Sequence, residues 1–538
     1  SAASDVYKRQ GCMCAVTGKT VVEGDVEVSE GIDYARFYST SMKQFAELPD
    51  VDIAPKGTIL VISPWNFPCA IPIGGIVAGL AGGNTVILKP ATVAAPVAWL
   101  FAKAFWDAGV PKEALQVIIT DREALKVLTT APAVKHIILT GGTDTAQNIA
   151  RSNPATPLSA ETGGKNAIIL TASGDRDHAI MNIVASAFGN AGQKCSACSL
   201  LLVERSVYED KNFQDKLKDA ATSMKVGSVW NPGNVVGPMI TNKNDKLLKA
   251  LELEKGESWL VPPRFLDKHK YVLAPTVKWG VRPGNYSFRT ELFGPMLSVV
   301  CIENLQQGIN WVNSLDYGLT SGLQSLDEGE QKLWKDSIMA GNLYINRGIT
   351  GAIVNRQPFG GMKLSAFGGG VKAGGPNYCA CFVKITDKLG STTDYTQSYV
   401  KAYEQEFAHA RDVNNLYGEQ NAFRYLPLKN MVLRLFPGDN NEDAKMIALA
   451  ARICHTPLSI SFEPGDDRTA ALASLGCPLK EEALAGFLKS MKNYERIRTC
   501  GADIPMEMYE EAARIDKYIA TAKPVKDGRC LLYTSPSP

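Results

Sequence analysis

Short apolar runs alternate with amphipathic stretches over the first 140 residues. Thr58-Ile59-Leu60-Val61-Ile62 is β-branched and apolar, which predicts a buried strand; a Pro/Asn loop, a helix through Ala81 and a second apolar run, Thr85-Val86-Ile87-Leu88, complete a β-α-β unit. The pattern continues with a helix over 94–108, a strand over 115–119, a helix over 122–129 and a strand over 136–140 that runs into Gly141-Gly142. Such alternation predicts a doubly wound parallel sheet, whose ligands sit beyond the carboxyl ends of its strands. A second α/β region starts after Glu161, with strands over 167–170 and 199–203 flanking a helix over 179–191 that leads into Cys195. Further strands over 297–300 and 341–345 carry it to about residue 376. A strand over 379–385 then reads as one that extends a neighbour's sheet in an oligomer. From residue 391 the chain turns polar and then into a third α/β piece, with a strand over 430–435 and a helix over 444–453.

The expected organisation is α/β: a Rossmann-like cofactor domain over 11–165, an α/β catalytic domain over 166–376, an oligomerisation strand over 377–390 and an additional C-terminal α/β domain over 391–530. Residues 1–10 and 531–538 have the look of translated sequencing-adapter tails and are set outside the fold, so the natural protein is expected to continue past both ends, with part of its cofactor domain missing at the start.

The 538 residues suffice for two or three domains, and 45% hydrophobic with 21% charged residues is ordinary for a globular chain. A net charge of +2 without a long basic run gives no electrostatic case for nucleic acid or an anionic membrane. The apolar stretch over 71–80 is too short and glycine-rich to span a bilayer, so a cytoplasmic protein acting on a small molecule is expected. Twelve irregularly spaced cysteines read as reduced thiols rather than a disulfide framework.

One of those thiols sits in Gly192-Gln193-Lys194-Cys195-Ser196-Ala197-Cys198, and upstream lies Glu161-Thr162-Gly163-Gly164-Lys165-Asn166. A thiolate attacks carbonyl carbon well, but a free thiol near pKa ~8.5 is mostly protonated at neutral pH and needs a cation, a helix start or a base beside it. Lys194 and Glu161 are candidates for those parts. By themselves the same residues also read as a small buried hydrophobe and an ordinary tight turn. The CxxC spacing of Cys195 and Cys198 has no second CxxC or paired histidines among five scattered His, so no metal site is expected.

Pro64-Trp65-Asn66-Phe67-Pro68, Gly82-Gly83-Asn84-Thr85-Val86-Ile87-Leu88-Lys89-Pro90, Thr140-Gly141-Gly142-Thr143, Glu291-Leu292-Phe293-Gly294-Pro295 and Pro358-Phe359-Gly360-Gly361 resemble the aldehyde dehydrogenase superfamily in order and approximate spacing, over roughly residues 30–385. The resemblance implies attack by Cys195, water activation by Glu161 and an oxyanion site from Asn66 with the Cys195 N–H. For the cofactor it implies Ser63, Pro64, Trp65, Lys89, Gly142, Thr143, Glu291 and Phe293, with NAD as the expected molecule. Thr92 stands where many NAD-preferring relatives carry an acidic residue, which leaves NADP open. Ala146 stands where the family's pyrophosphate turn has its last glycine.

The segments around Cys195, 341–361 and Lys372-Ala373-Gly374-Gly375-Pro376 are similar to the L-glutamate γ-semialdehyde (pyrroline-5-carboxylate) dehydrogenase branch, as found in the C-terminal half of bifunctional proline-utilisation proteins. That implies oxidation of the semialdehyde to glutamate in proline catabolism, with Lys194, Ser196, Gly351 and Ala352 meeting the far end of the substrate and Phe359 packing on its stem. It also implies a homo-oligomer, fused to or working with a flavin-dependent proline dehydrogenase, and a C-terminal domain that is a structural appendage. Two other readings stand beside it: a dehydrogenase for another semialdehyde such as succinic semialdehyde, and a non-catalytic scaffold.

Overall fold

A computed structural model describes residues 2–501 and 503–534; Ser1 and residues 535–538, part of the ends set aside above, lie outside the described residues. Three sheets organise the chain. The first has six strands, with Thr58–Ser63 at its centre between Thr85–Pro90 and Val134–Thr140, then Leu115–Val117 at one side and Leu158–Glu161 at the other. All of these run parallel, as the β-α-β alternation predicts. The strand expected over 115–119 stops at Val117, because it sits at the sheet's edge and pairs on one side alone. A two-residue strand, Ala366–Phe367, returns from far along the chain to pair antiparallel with Leu158–Glu161. The cofactor sheet therefore borrows from the segment assigned to the catalytic domain.

Ala70–Ala81 lies against this sheet with almost no side chain between. A Cβ on Gly75 would come within 2.9 Å of Val61, and one on Gly79 within 2.7 Å of Val86. Its outer face is covered by Val21–Ala46, a long helix whose buried residues include Val28, Tyr34, Tyr38, Met42 and Phe45. Ala2–Thr17 precedes it, so residues 2–10 are helical.

The second sheet has seven strands, in the order Asn342–Ile345, Thr320–Gln324, Asn166–Leu170, Cys198–Glu204, Met296–Ile302, Thr276–Trp279 and Ser258–Val261, the last pair antiparallel. Asn166–Leu170 is buried along its whole length, as a strand covered on both faces must be. The helix expected over 179–191 runs over Arg176–Phe188, capped by the Asp175 side chain, and ends where Asn190, Ala191 and Gly192 adopt positive φ in succession.

The segment over 377–390 begins as a tight turn, Tyr378–Phe382, and becomes extended over Val383–Asp387. That strand pairs antiparallel with Val51–Pro55 of the same chain, so one of its edges is used internally. The C-terminal region builds the third sheet, five parallel strands in the spatial order Leu479–Glu481, Leu458–Phe462, Met431–Arg434, Arg496–Arg498, Ile519–Ala520, the doubly wound order. It is tied to the rest by Gln147 donating to Asp516 at 2.8 Å and by the Arg496 guanidinium donating to the Gly369 carbonyl at 3.0 Å. Gly528–Thr534 is helical, and Leu531 and Leu532 are buried in the first core.

Candidate active site

The two glycine-wrapped segments meet between the carboxyl end of the first sheet, where Glu161 closes its strand, and the amino end of the second, where Asn166–Leu170 and Cys198–Glu204 begin. Glu161 ends its strand and the chain turns through Thr162-Gly163-Gly164-Lys165 into Asn166, whose side chain holds the Cys195 loop. The Asn166 amide donates to the carbonyls of Cys195 at 2.6 Å and Ala197 at 3.0 Å, and its oxygen accepts from the Thr320 N–H at 3.0 Å. The glycines are required by crowding. A Cβ on Gly164 would lie 2.8 Å from the Cys195 carbonyl oxygen, and one on Gly163 would lie 2.3 Å from Glu291 Oε2. Gly192, at φ +68°, would place a Cβ 2.2 Å from the Gly294 carbonyl oxygen, so the Cys195 and Glu291 loops also interlock.

Cys195 keeps partial exposure at the wall of a cavity of about 350 Å³, which it shares with Glu161, Lys194, Ser196, Gly351, Ala352 and Phe359. Burial first, and then the carboxylates of Glu291 and Glu161, push its thiol up to about 12 against the opposing N–H groups of Ser196 and Cys195. A thiol so placed favours its protonated form at neutral pH. Glu161 is raised by burial against the counter-pull of Lys372, and its Oε2 accepts from the Gly361 N–H at 3.1 Å.

Asn66 is buried, and its side-chain amide donates to the Gln193 carbonyl at 3.1 Å, two residues before Cys195. Lys19 fixes Asn66 from behind. Its ammonium donates to the Asn66 backbone carbonyl at 2.6 Å, pairs with Glu27 at 2.8 Å and stands 3.8 Å from the centre of the Phe67 ring. Glu27 in turn accepts from the N–H groups of Cys69 at 2.6 Å and Ala70 at 3.2 Å, where a carboxylate meets the positive end of the helix Ala70–Ala81.

The residues assigned to a nicotinamide cofactor fit one. Thr143–Ser152 starts at Gly142 without a side-chain cap, and a Cβ on Gly142 would meet nothing nearer than 3.9 Å, so its first N–H groups face open space suited to a pyrophosphate. The Ser63 hydroxyl is buried at the end of the central strand with no hydrogen-bond partner. Glu291 is held by the Gly164 N–H at 2.8 Å, and Phe293, at φ +51°, packs its ring edge-on to Trp65 at 5.8 Å. Lys89 lies near the end of Thr85–Pro90, beside Ile62 of the central strand. Pro64 follows Ser63 in the loop after that strand, and Thr143 bonds the Tyr317 hydroxyl at 3.1 Å. Gly163→Ala is expected to displace Glu291 and raise the KM for the cofactor at least about tenfold while leaving the fold intact, as checked by initial-rate kinetics and circular dichroism.

Sequence reasoning missed one wall of the cavity. Glu23, Glu27 and Glu30 project from one face of Val21–Ala46, and all three line the cavity. Their i, i+4, i+7 spacing was the available signal, and such a charged face reads by default as solvated. Glu23 pairs with Lys194 at 2.8 Å, both largely covered, and its Oε2 is buried without a hydrogen-bond partner.

Residues 8–387 match the family described as "Aldehyde dehydrogenase family". Among curated proteins the chain is similar to the 1-pyrroline-5-carboxylate dehydrogenases of Geobacillus sp. (strain WCH70), 34% identical over 68% of this chain and 74% of that one, and of Bacillus subtilis (strain 168), 33% identical over 67% and 73%. Among solved structures, Proline Utilization A from Corynebacterium freiburgense matches with a TM-score of 0.86 and 36% identity, covering 100% of this chain, which spans 55% of that protein's length. The 1-pyrroline-5-carboxylate dehydrogenase from Thermus with bound NAD matches with a TM-score of 0.66 and 33% identity, over 72% of this chain and 79% of that one.

Proposed function

Because the chain belongs to the aldehyde dehydrogenase family, we propose that it oxidises L-glutamate γ-semialdehyde, the open form of pyrroline-5-carboxylate, to L-glutamate in proline catabolism. The observation that carries the substrate is the Lys194–Glu23 pair with its unsatisfied carboxylate oxygen. An α-amino acid presents an ammonium and a carboxylate together, and a cation beside an anion with a vacant acceptor is its complement. Succinic semialdehyde offers no ammonium. Ser196, Gly351, Ala352 and Phe359 line the same cavity; the first three would meet the amino-acid end of the substrate and Phe359 its aliphatic stem.

In the proposed reaction the Cys195 sulfur adds to the aldehyde carbon as its proton passes to water in the cavity, and the oxygen charge that develops is met by the Asn66 amide and the Cys195 N–H. The oxidised nicotinamide, when bound, supplies the acceptor for the hydride, whose departure leaves a thioester on Cys195. Glu161 then takes a proton from water as the water attacks the acyl carbon; the C–S bond breaks, sulfur leaves with its electron pair and glutamate is released. Ser63, Pro64, Trp65, Lys89, Gly142, Thr143, Glu291 and Phe293 would hold the cofactor. NAD is the proposed molecule, and exposed Thr92 places no carboxylate against a 2′-phosphate.

Glu23→Gln tests the substrate. It is expected to raise the KM for glutamate semialdehyde about tenfold or more, the loss of a charge-assisted hydrogen bond, and to leave that for succinic semialdehyde unchanged. Equal effects on both would contradict the amino-acid reading. Association into a homo-oligomer, a cytoplasmic location and partnership with a flavin-dependent proline dehydrogenase belong to the same proposal. Among the described residues no helix is long and apolar enough to cross a membrane.

A further inference from the structure

Behind Glu161 lies a second buried charge that the reaction above does not use. Lys372 donates to the carbonyls of Gly341 at 2.6 Å and Gly360 at 2.8 Å and to the Asn342 side-chain oxygen at 3.2 Å. Three oxygen acceptors around one ammonium satisfy all three of its protons, the arrangement of a lysine kept charged. Gly360 and Gly361 thread between this ammonium and Glu161. A Cβ on Gly360 would lie 3.0 Å from Lys372 Cγ and 3.2 Å from Glu161 Oε1, while the next N–H, of Gly361, donates to Glu161 Oε2. The same two-glycine segment is thus gripped by the lysine through a carbonyl and by the carboxylate through an amide.

We propose that Lys372 is a positioning residue for thioester hydrolysis: through Gly360-Gly361 it fixes where the Glu161 carboxylate points, and its charge favours the ionised form of that carboxylate in a wall that favours the neutral one. This rests on the assignment of Cys195 and Glu161 as nucleophile and base. The surrounding groups leave the task to Lys372. Glu161 is faced by Lys372, by the Cys195 thiol, by Tyr34 from Val21–Ala46 and by Tyr378 from the turn after residue 376. The thiol and both phenols are pushed up by burial and stay neutral through the working range, so the ammonium is the one cation in the set. Burial raises Glu161 and lowers Lys372, and each charge opposes the shift of the other. Removing the ammonium therefore moves the carboxylate's ionisation to higher pH.

The test separates acylation from hydrolysis without aldehyde or cofactor. With p-nitrophenyl acetate, Cys195 attacks the ester carbonyl and p-nitrophenolate leaves in a first-turnover burst; water activated by Glu161 then cleaves the acetyl–sulfur bond and sets the steady rate. In the full chain, Lys372→Met is expected to keep the burst amplitude, to slow the steady rate at pH 7 about tenfold and to move its pH midpoint up by about one unit or more. Lys372→Arg restores the midpoint. Lys372→Gln, which keeps a donor for the backbone carbonyls, serves if the methionine variant does not fold and should show the same upward shift. An unmoved midpoint in a folded, burst-competent variant overturns the proposal and leaves Lys372 a packing residue. Retained ester turnover with no aldehyde oxidation by the parent chain would instead contradict the substrate assignment and leave this inference standing.

Discussion

Cys195→Ala is expected to abolish aldehyde oxidation, lowering kcat by roughly 10⁴-fold or more, because a methyl group cannot form the covalent adduct on which both half-reactions depend. The fold should survive, since the nucleophile loop is held by contacts that do not involve the sulfur: the Asn166 amide on the Cys195 carbonyl, and the close passage of Gly192 against Gly294. The check is a melting temperature and circular dichroism spectrum matching the parent, with no NADH formed. Measurable turnover in the alanine variant would mean that another group attacks the aldehyde. Cys198 is no substitute, being buried and pushed up to about 12 with its thiol donating to the Leu200 carbonyl.

Glu161→Gln is expected to act on one half of the reaction. A positioned general base contributes ~10²–10⁴-fold, so steady turnover should fall by that range while the first-turnover burst of NADH remains. The parent's pH dependence follows from the direction of the shift. Burial raises the Glu161 pKa, so the fraction ionised, and with it the hydrolysis rate, increases as pH rises through that raised value and is lost below it. The glutamine variant should lose this rise. A burst that disappears together with turnover would place Glu161 in the attack step.

Much of this site is legible in the chain because the chemistry is concentrated in short glycine-bearing segments whose spacing is dictated by backbone crowding. Gly163, Gly164 and Gly192 stand where a Cβ would collide with Glu291, the Cys195 carbonyl and Gly294. The cofactor sheet is legible because its strands are continuous apolar runs separated by amphipathic helices. What escapes is set by contacts between distant segments. Glu23, Glu27 and Glu30 look like a solvated helix face until the helix is laid over Ala70–Ala81. Ala366–Phe367 is too short to carry a period, and its pairing with Leu158–Glu161 spans some 200 residues. Lys372 sits in a recognisable segment, but its neighbours in sequence say nothing of Glu161. The strand read over 379–385 lies over Val383–Asp387, and its pairing with Val51–Pro55 is a contact between distant segments that no local pattern carries.

The central claim is most directly tested by following NADH at 340 nm with the full chain and glutamate semialdehyde, against succinic semialdehyde and against NADP⁺. The account predicts NAD-dependent oxidation with kcat/KM for glutamate semialdehyde well above that for succinic semialdehyde. A folded protein inactive with every pair, or one that prefers the substrate without an amino group, would contradict it.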